Sequence, residues 1–351
     1  MREVAVVSFA QTKHERAQPR VNEVEMLMPV IQRVRDQIGI EKGRIGFTCS
    51  GSTDYLSGQA FSFVMTLDGV GAWPPISESH VEMDAAWALY EAWVKLQIGE
   101  IDVAMVYGYS KASPGELRDV LTRQLDPYVL APLWPDSVSL AALQARALLD
   151  RGGTSEREWA EIAARNRANA KDNPYAQLAG DFDTASILAE DYIVSPLRRH
   201  DCPPITDGAA AVVLAAGDAA RELCERPAWI RGIEHRLECH SPGARDLTQS
   251  VSLRAAAEAA GVHDAAIDFA ELHAPFTFQE VIARQALDLG DRVKVNPSGG
   301  PLAANPVMAA GLIRIGEAAQ RISSGQGDRA VATATQGPCM QQNLVCVLEG
   351  V

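Results

Sequence analysis

The sequence is short of positive charge, cysteine, aromatic residues and long apolar runs. Its 32 Lys and Arg face 45 Asp and Glu, for a formal net charge of −13. That balance excludes a broadly basic, nucleic-acid-binding surface, so any anionic partner must meet a local basic patch. The six cysteines, at positions 49, 202, 224, 239, 339 and 346, form no CxxC pair and no metal-ligand spacing with the histidines. A disulfide scaffold and a cysteine–histidine metal site are thereby excluded, and a reduced, cytoplasmic setting is expected. No stretch approaches a membrane-spanning run, and the opening MREVAVVSFAQT alternates charged and apolar residues where a signal peptide would carry an apolar core. A cytosolic chain without membrane contact is the expectation. Low-complexity segments and long linkers are absent as well.

What is present is ample apolar material. With 351 residues, 47% of them hydrophobic, the chain buries enough surface to fold without staples. Short β-rich runs (VAVVSFA, IDVAMVYGYS, AAAVVLAAG, AIDFAELHA, DRAVATAT, NLVCVLEG) alternate with helical stretches, which predicts a layered α/β fold. Between about residues 111 and 200 the pattern turns charged and helix-forming (SEREWAEIAARNRANAKDN), as expected of an inserted cap region.

The chain also resembles itself. YEAWVKLQIGEIDVAMV, from Tyr90, aligns without a gap on GEAAQRISSGQGDRAVA, from Gly316. Glu91 then meets Glu317, Gly99 meets Gly325, Asp102 meets Asp328 and Ala104 meets Ala330. Each copy reads as a helix closed by glycine, an acidic turn and an apolar strand. From Ala85 to Leu96 apolar residues lie on every side, and PVMAAGLIRIGEAA is nearly as apolar. Such helices need cover all round, which predicts a middle helical layer between two sheets. The expected units are residues 1–230 and 231–351.

The first of these helices is headed by Glu82 and Asp84. Asp84 reads foremost as an N-cap, since a carboxylate before Ala-Ala-Trp-Ala accepts from an orphan amide. Glu82 is open between a complement to the helix dipole and a functional acid. His80 reads as a solvated or hydrogen-bonded loop residue.

Three further motifs carry a resemblance to a known family. CPPITDGAAAVVLA (Cys202–Ala215), ELHAPF (Glu271–Phe276) and NPSGGPLAANP (Asn296–Pro306) resemble, in this order, conserved segments of the thiolase superfamily, on the branch of the sterol-carrier-protein and lipid-transfer-protein type. The resemblance spans nearly the whole chain and implies the thiolase fold, two duplicated halves in a five-layer αβαβα sandwich. It also puts Glu82 where the family carries its nucleophilic cysteine, and Asn305 where a second histidine stands before proline. Cys339 lies close to the family's acid/base cysteine, a position that Thr335 or Gln336 fill as well. Only His273 keeps its family counterpart.

A carboxylate does not replace a thiolate in acyl transfer. The resemblance then points to nucleophile-lacking, thiolase-like aldolases of steroid side-chain degradation, which work with an OB-fold partner of the DUF35 type. In that frame His273 and Asn305 stabilise an enolate, Glu82 acts as base if burial raises its proton affinity, and Ser298, Gly299 and Gly300 approach coenzyme A, which is part of the substrate. No covalently bound cofactor and no metal are expected. Two other readings stay open: a catalytically silent subunit, and a true acyltransferase whose nucleophile lies elsewhere. Thiolase-like proteins pair through an edge of the first-half sheet, so a homodimer or heterodimer is implied, with FSFVMTLDGVGAWPPI (residues 61–76) as the interface.

Overall fold

The computed structural model describes residues 2–350. Along the chain run β1 (Val4–Gln11), β2 (Phe47–Gly51), β3 (Glu78–Val81) and β4 (Val103–Lys111), then β5 (Tyr192–Val194) and β6 (Leu197–Arg198). β7 (Asp207–Ala216), β8 (Ala228–Leu237), β9 (Phe269–Glu271), β10 (Lys294–Val295), β11 (Arg329–Gln336) and β12 (Gln342–Glu349) follow. β5 and β6 pair only with each other; the other ten form one sheet in the order β10-β9-β11-β12-β8-β1-β7-β4-β2-β3.

That order contains the duplication. The five strands β3-β2-β4-β7-β1 have two parallel pairings followed by two antiparallel ones. The five strands β10-β9-β11-β12-β8 repeat the same sequence of pairings. The two expected sheets are joined where β1 pairs with β8 through Ala5–Trp229 and Val6–Ala228. The second unit opens with β8 at Ala228, so the expected boundary after residue 230 falls inside that strand.

Two helices, Ala85–Ile98 and Ala310–Ser323, lie between the halves. They share one apolar cluster with inward side chains of both, from Val106 and Val212 to Ala332 and Cys346. The helices follow the register of the repeat, since 317 − 91 = 226 carries Gly99, which ends the first in a left-handed turn, onto Gly325, which turns left-handed after the second. On the outer faces, Glu23–Asp36 covers the first half and Val251–Ala259 with Thr277–Ala286 covers the second. The result is the predicted helix–sheet–helix–sheet–helix sandwich, the thiolase fold.

The segment between β4 and β7 contains the helices Leu117–Arg123, Ser137–Arg151 and Glu156–Asn169. It is more than a cap. Val138, Leu148 and Trp159 join the core of the second half, and Trp159 packs on Phe278 with ring centroids 5.8 Å apart. His80 also departs from expectation, lying in β3 and not in a loop. β3 ends the sheet, and beside it in sequence the 61–76 stretch exposes Phe61, Val64, Met65 and Trp73. No helix among the described residues is long and apolar enough to cross a membrane.

Candidate active site

A cavity of about 1030 Å³ opens between the inserted segment, the stretch that leads into β7 and the loops that follow β9, β10 and β11. His273, Asn305, Glu82 and Cys339 all line it, four residues separated by up to 257 positions (339 − 82) in the chain. Ser298, Gly299 and Gly300 do not.

His273 follows β9 and is 5% exposed. Its backbone N–H donates to Thr333 Oγ1 (3.0 Å), and the Thr335 N–H donates to its Nδ1 (3.2 Å). An Nδ1 that accepts leaves the hydrogen on Nε2, which stands 3.3 Å from Asn305 Oδ1. Burial, aided by the Arg314 charge, pushes the imidazole down to about 3, so it is neutral at physiological pH. Asn305 is itself held by its backbone N–H, which donates to Thr206 Oγ1 (3.0 Å). With Oδ1 facing the histidine, its side-chain NH2 forms no hydrogen bond among the described residues. The neutral Nε2–H thus faces Asn305 Oδ1, and the Asn305 NH2 beside it is the donor without a protein partner.

Glu82 contributes to the cavity's lining, but its side chain is 48% exposed. Its Oε1 accepts from the Asp54 N–H (2.6 Å), and its Oε2 lies 3.3 Å from His80 Nε2. His80 in turn meets Ser50 Oγ through Nδ1 (2.9 Å) and stacks on Phe63. The carboxylate is thus half-exposed, where the sequence reading looked for burial.

Asp84 is an N-cap twice over. Its carboxylate accepts from Ala86 N–H (2.8 Å) at the head of its own helix, and from Gly311 N–H (2.8 Å) and Leu312 N–H (3.1 Å) at the head of the second central helix. The residue preceding that helix, Ala309, has no capping side chain. Burial raises the Asp84 carboxyl to about 6, against the pull of the three amides.

The cavity's thiols are held in their protonated form. Burial pushes Cys339 up to about 11 and Cys202 to about 12, so both are protonated at neutral pH. Cys339 sits at a left-handed backbone position with Sγ 3.7 Å from the Leu140 carbonyl oxygen. Of the alternatives, Thr335 holds His273 by its backbone, and Gln336 Oε1 accepts from the Asp84 N–H (2.9 Å).

The Ser298–Gly300 loop is structural. Ser298 Oγ donates to Glu271 Oε2 (2.7 Å), and Arg314 Nη1 donates to the same carboxylate oxygen (2.7 Å). A Cβ on Gly299 would lie 2.6 Å from that of Ala170, so the close approach expected for a ligand is made to the inserted segment.

Sequence reasoning missed the arginines. Arg16, Arg118, Arg167 and Arg199 line the cavity, against Glu82 as the one carboxylate among its lining residues. Arg167 is 3% exposed, its Nε and Nη1 have no partner, and burial together with the nearby Arg199 lowers it to about 10, still a cation at neutral pH. A signal existed in the spacing. Trp159, Ile162, Ala163 and Asn166 mark the inner face of their helix, and Arg167, four residues after Ala163, falls on it.

No family model matches the chain. It is 29% identical to an acetyl-CoA acetyltransferase of Methanothermobacter thermautotrophicus, over 57% of this chain and 58% of that one. It is 24% identical to sterol carrier protein 2 of Bos taurus, over 84% of this chain and 60% of that one. The chain therefore spans less than two thirds of these first curated relatives. Among solved structures, an Ltp2-ChsH2(DUF35) aldolase superposes with a TM-score of 0.82 at 17% identity, over 99% of this chain and 97% of that one. Human mitochondrial 3-ketoacyl-CoA thiolase does so at 0.81 and 15%, over 100% and 99%. The chain has the thiolase fold. In sequence it is similar to thiolases and to the thiolase-like sterol carrier protein 2.

Proposed function

We propose that the cavity binds an acyl-CoA thioester and that the chain cleaves a bulky β-hydroxyacyl-CoA, such as one bearing a steroid side chain, by a retro-aldol reaction. One observation carries this reading: His273 Nε2–H and the Asn305 NH2 stand together on the wall of a cavity whose thiols are protonated. Such a site can hold an enolate oxygen but cannot accept an acyl group on sulfur.

In the reaction Glu82 takes the proton of the β-hydroxyl group. The Cα–Cβ bond breaks, the β-carbon leaves as a carbonyl product, and the electron pair moves onto the thioester oxygen between His273 and Asn305. Return of the proton to Cα releases the shortened acyl-CoA. Each donor to such an oxygen contributes about 3 to 4 kcal/mol in favourable cases. The exposed Arg16 and Arg118 suit the phosphates of coenzyme A, here part of the substrate. Leu117, Leu121, Val138 and Phe276 give an apolar wall for the acyl group. The free cysteines suit a reducing, cytoplasmic setting. An OB-fold partner of the DUF35 type is part of the proposal, in line with the Ltp2-ChsH2(DUF35) aldolase whose fold the chain shares.

A silent-subunit reading draws on the half-exposed Glu82 carboxylate, already engaged by Asp54 and His80. The two separate when the purified chain, alone and with a DUF35-type protein, is incubated with β-hydroxyacyl-CoA thioesters and the products are weighed by mass spectrometry. A carbonyl product with a shortened CoA ester is expected, and His273→Ala and Asn305→Ala should each lower turnover about 100- to 1000-fold. Cleavage that persists unchanged in Glu82→Gln and His273→Ala overturns the residue roles, and an acyl group trapped on Cys339 restores the transferase.

A further inference from the structure

Arg167 is the one cavity-lining arginine that is buried, and its guanidinium forms no ion pair or side-chain hydrogen bond among the described residues. A buried cation without a counter-charge is costly, and its presence asks for an anion that arrives from outside. Arg199, also without an acidic partner, lines the same cavity, with the apolar side chains of Leu178 and Ile193 for neighbours in the lining. The phosphates of coenzyme A sit at the far end of a long pantetheine arm and suit exposed arginines at the rim. A buried guanidinium with unpaired donors instead suits a single planar anion, which takes two of its N–H donors side by side.

We propose that Arg167, assisted by Arg199, binds a carboxylate carried by the acyl group, so that the preferred substrates are CoA thioesters of acids with a second carboxyl. The inference rests on the acyl-CoA reading of the cavity and narrows its substrate class.

Calorimetric titration with free coenzyme A, hexanoyl-CoA and adipyl-CoA tests it, because the two esters share a chain length and differ in the terminal carboxylate. Adipyl-CoA should bind the unaltered protein about tenfold more tightly than hexanoyl-CoA, the scale of a charge-assisted pair. Arg167→Gln should bring that ratio close to one, with Arg167→Lys in between. Arg199→Gln, at an exposed position, should shrink the ratio partially and serves if the Arg167 variants do not fold. Equal affinities in the unaltered protein, or a ratio that Arg167→Gln leaves intact, overturn the proposal alone. A parallel loss for free coenzyme A makes Arg167 a phosphate contact and overturns it too. If the unaltered protein binds none of the three, the acyl-CoA reading falls and this proposal with it.

Discussion

His273 and Asp84 are both buried and both titratable, yet the sequence made only their positions legible. The ELHAPF motif marks His273, but its tautomer depends on a backbone amide 62 residues away, that of Thr335. Because the ring stays neutral down to about pH 3, a pH profile of kcat/KM between 5 and 9 should carry no inflection from it. An inflection that His273→Gln abolishes would contradict the neutrality of the ring in this range. Asp84 was readable as an N-cap from its neighbours, whereas its second helix, more than 220 residues on, was not. Losing caps at two helices together should make Asp84→Ala less stable by about 2 to 4 kcal/mol, measured by urea unfolding. Glu82 failed as a buried acid because nothing in VEMDAA reports the Asp54 amide and the His80 ring that hold it at the surface.

At the scale of elements, six strands of the large sheet announced themselves, while β2, β3, β8 and β10 did not. β1, β4, β7, β9, β11 and β12 fall in runs legible by composition. β3 (ESHV) escaped because, as a partly exposed edge strand, it has no apolar run, and the two-residue β10 is too short to show a period. The fit of helix to strand was equally hidden. A Cβ on Gly311 would stand 2.5 Å from that of Ala334 and 2.7 Å from Asp84 Oδ1, and one on Gly108 would stand 2.5 Å from that of Ala85. Gly311→Ala should therefore push the shared carboxylate aside and lower stability by about 1 to 3 kcal/mol in the same unfolding assay. Unchanged stability would mean that the two helix heads are not in this contact.

For the whole molecule, buried groups set opposing responses to acid. His14 and His273, held near 3 in the folded chain against an ordinary 6.5, bind protons more readily when unfolded. Their stabilising contribution is complete above about pH 6.5 and is lost as the pH falls towards 3. Asp84, raised to about 6 from 3.8, acts in reverse, and its penalty grows as the pH rises from about 4 to 6. Two histidines against one aspartate give a net loss on acidification. The melting temperature should fall between pH 6.5 and 4, more steeply in Asp84→Asn and less so in His14→Gln, as scanning calorimetry will read. Association belongs to this scale as well. If β3 and the exposed Phe61 and Trp73 form the pairing edge, Trp73→Ser should shift sedimentation towards the monomer. The lone carboxylate between the central helices bears on ancestry, for the position matching Asp84 in the other copy, 84 + 226, is Ala310. A symmetric pair of ancestral protomers would have carried two such acids, one apiece. Here a single carboxylate serves both: expressed as separate polypeptides, the back half would lack its clasp and the front half would keep only the bond to Ala86.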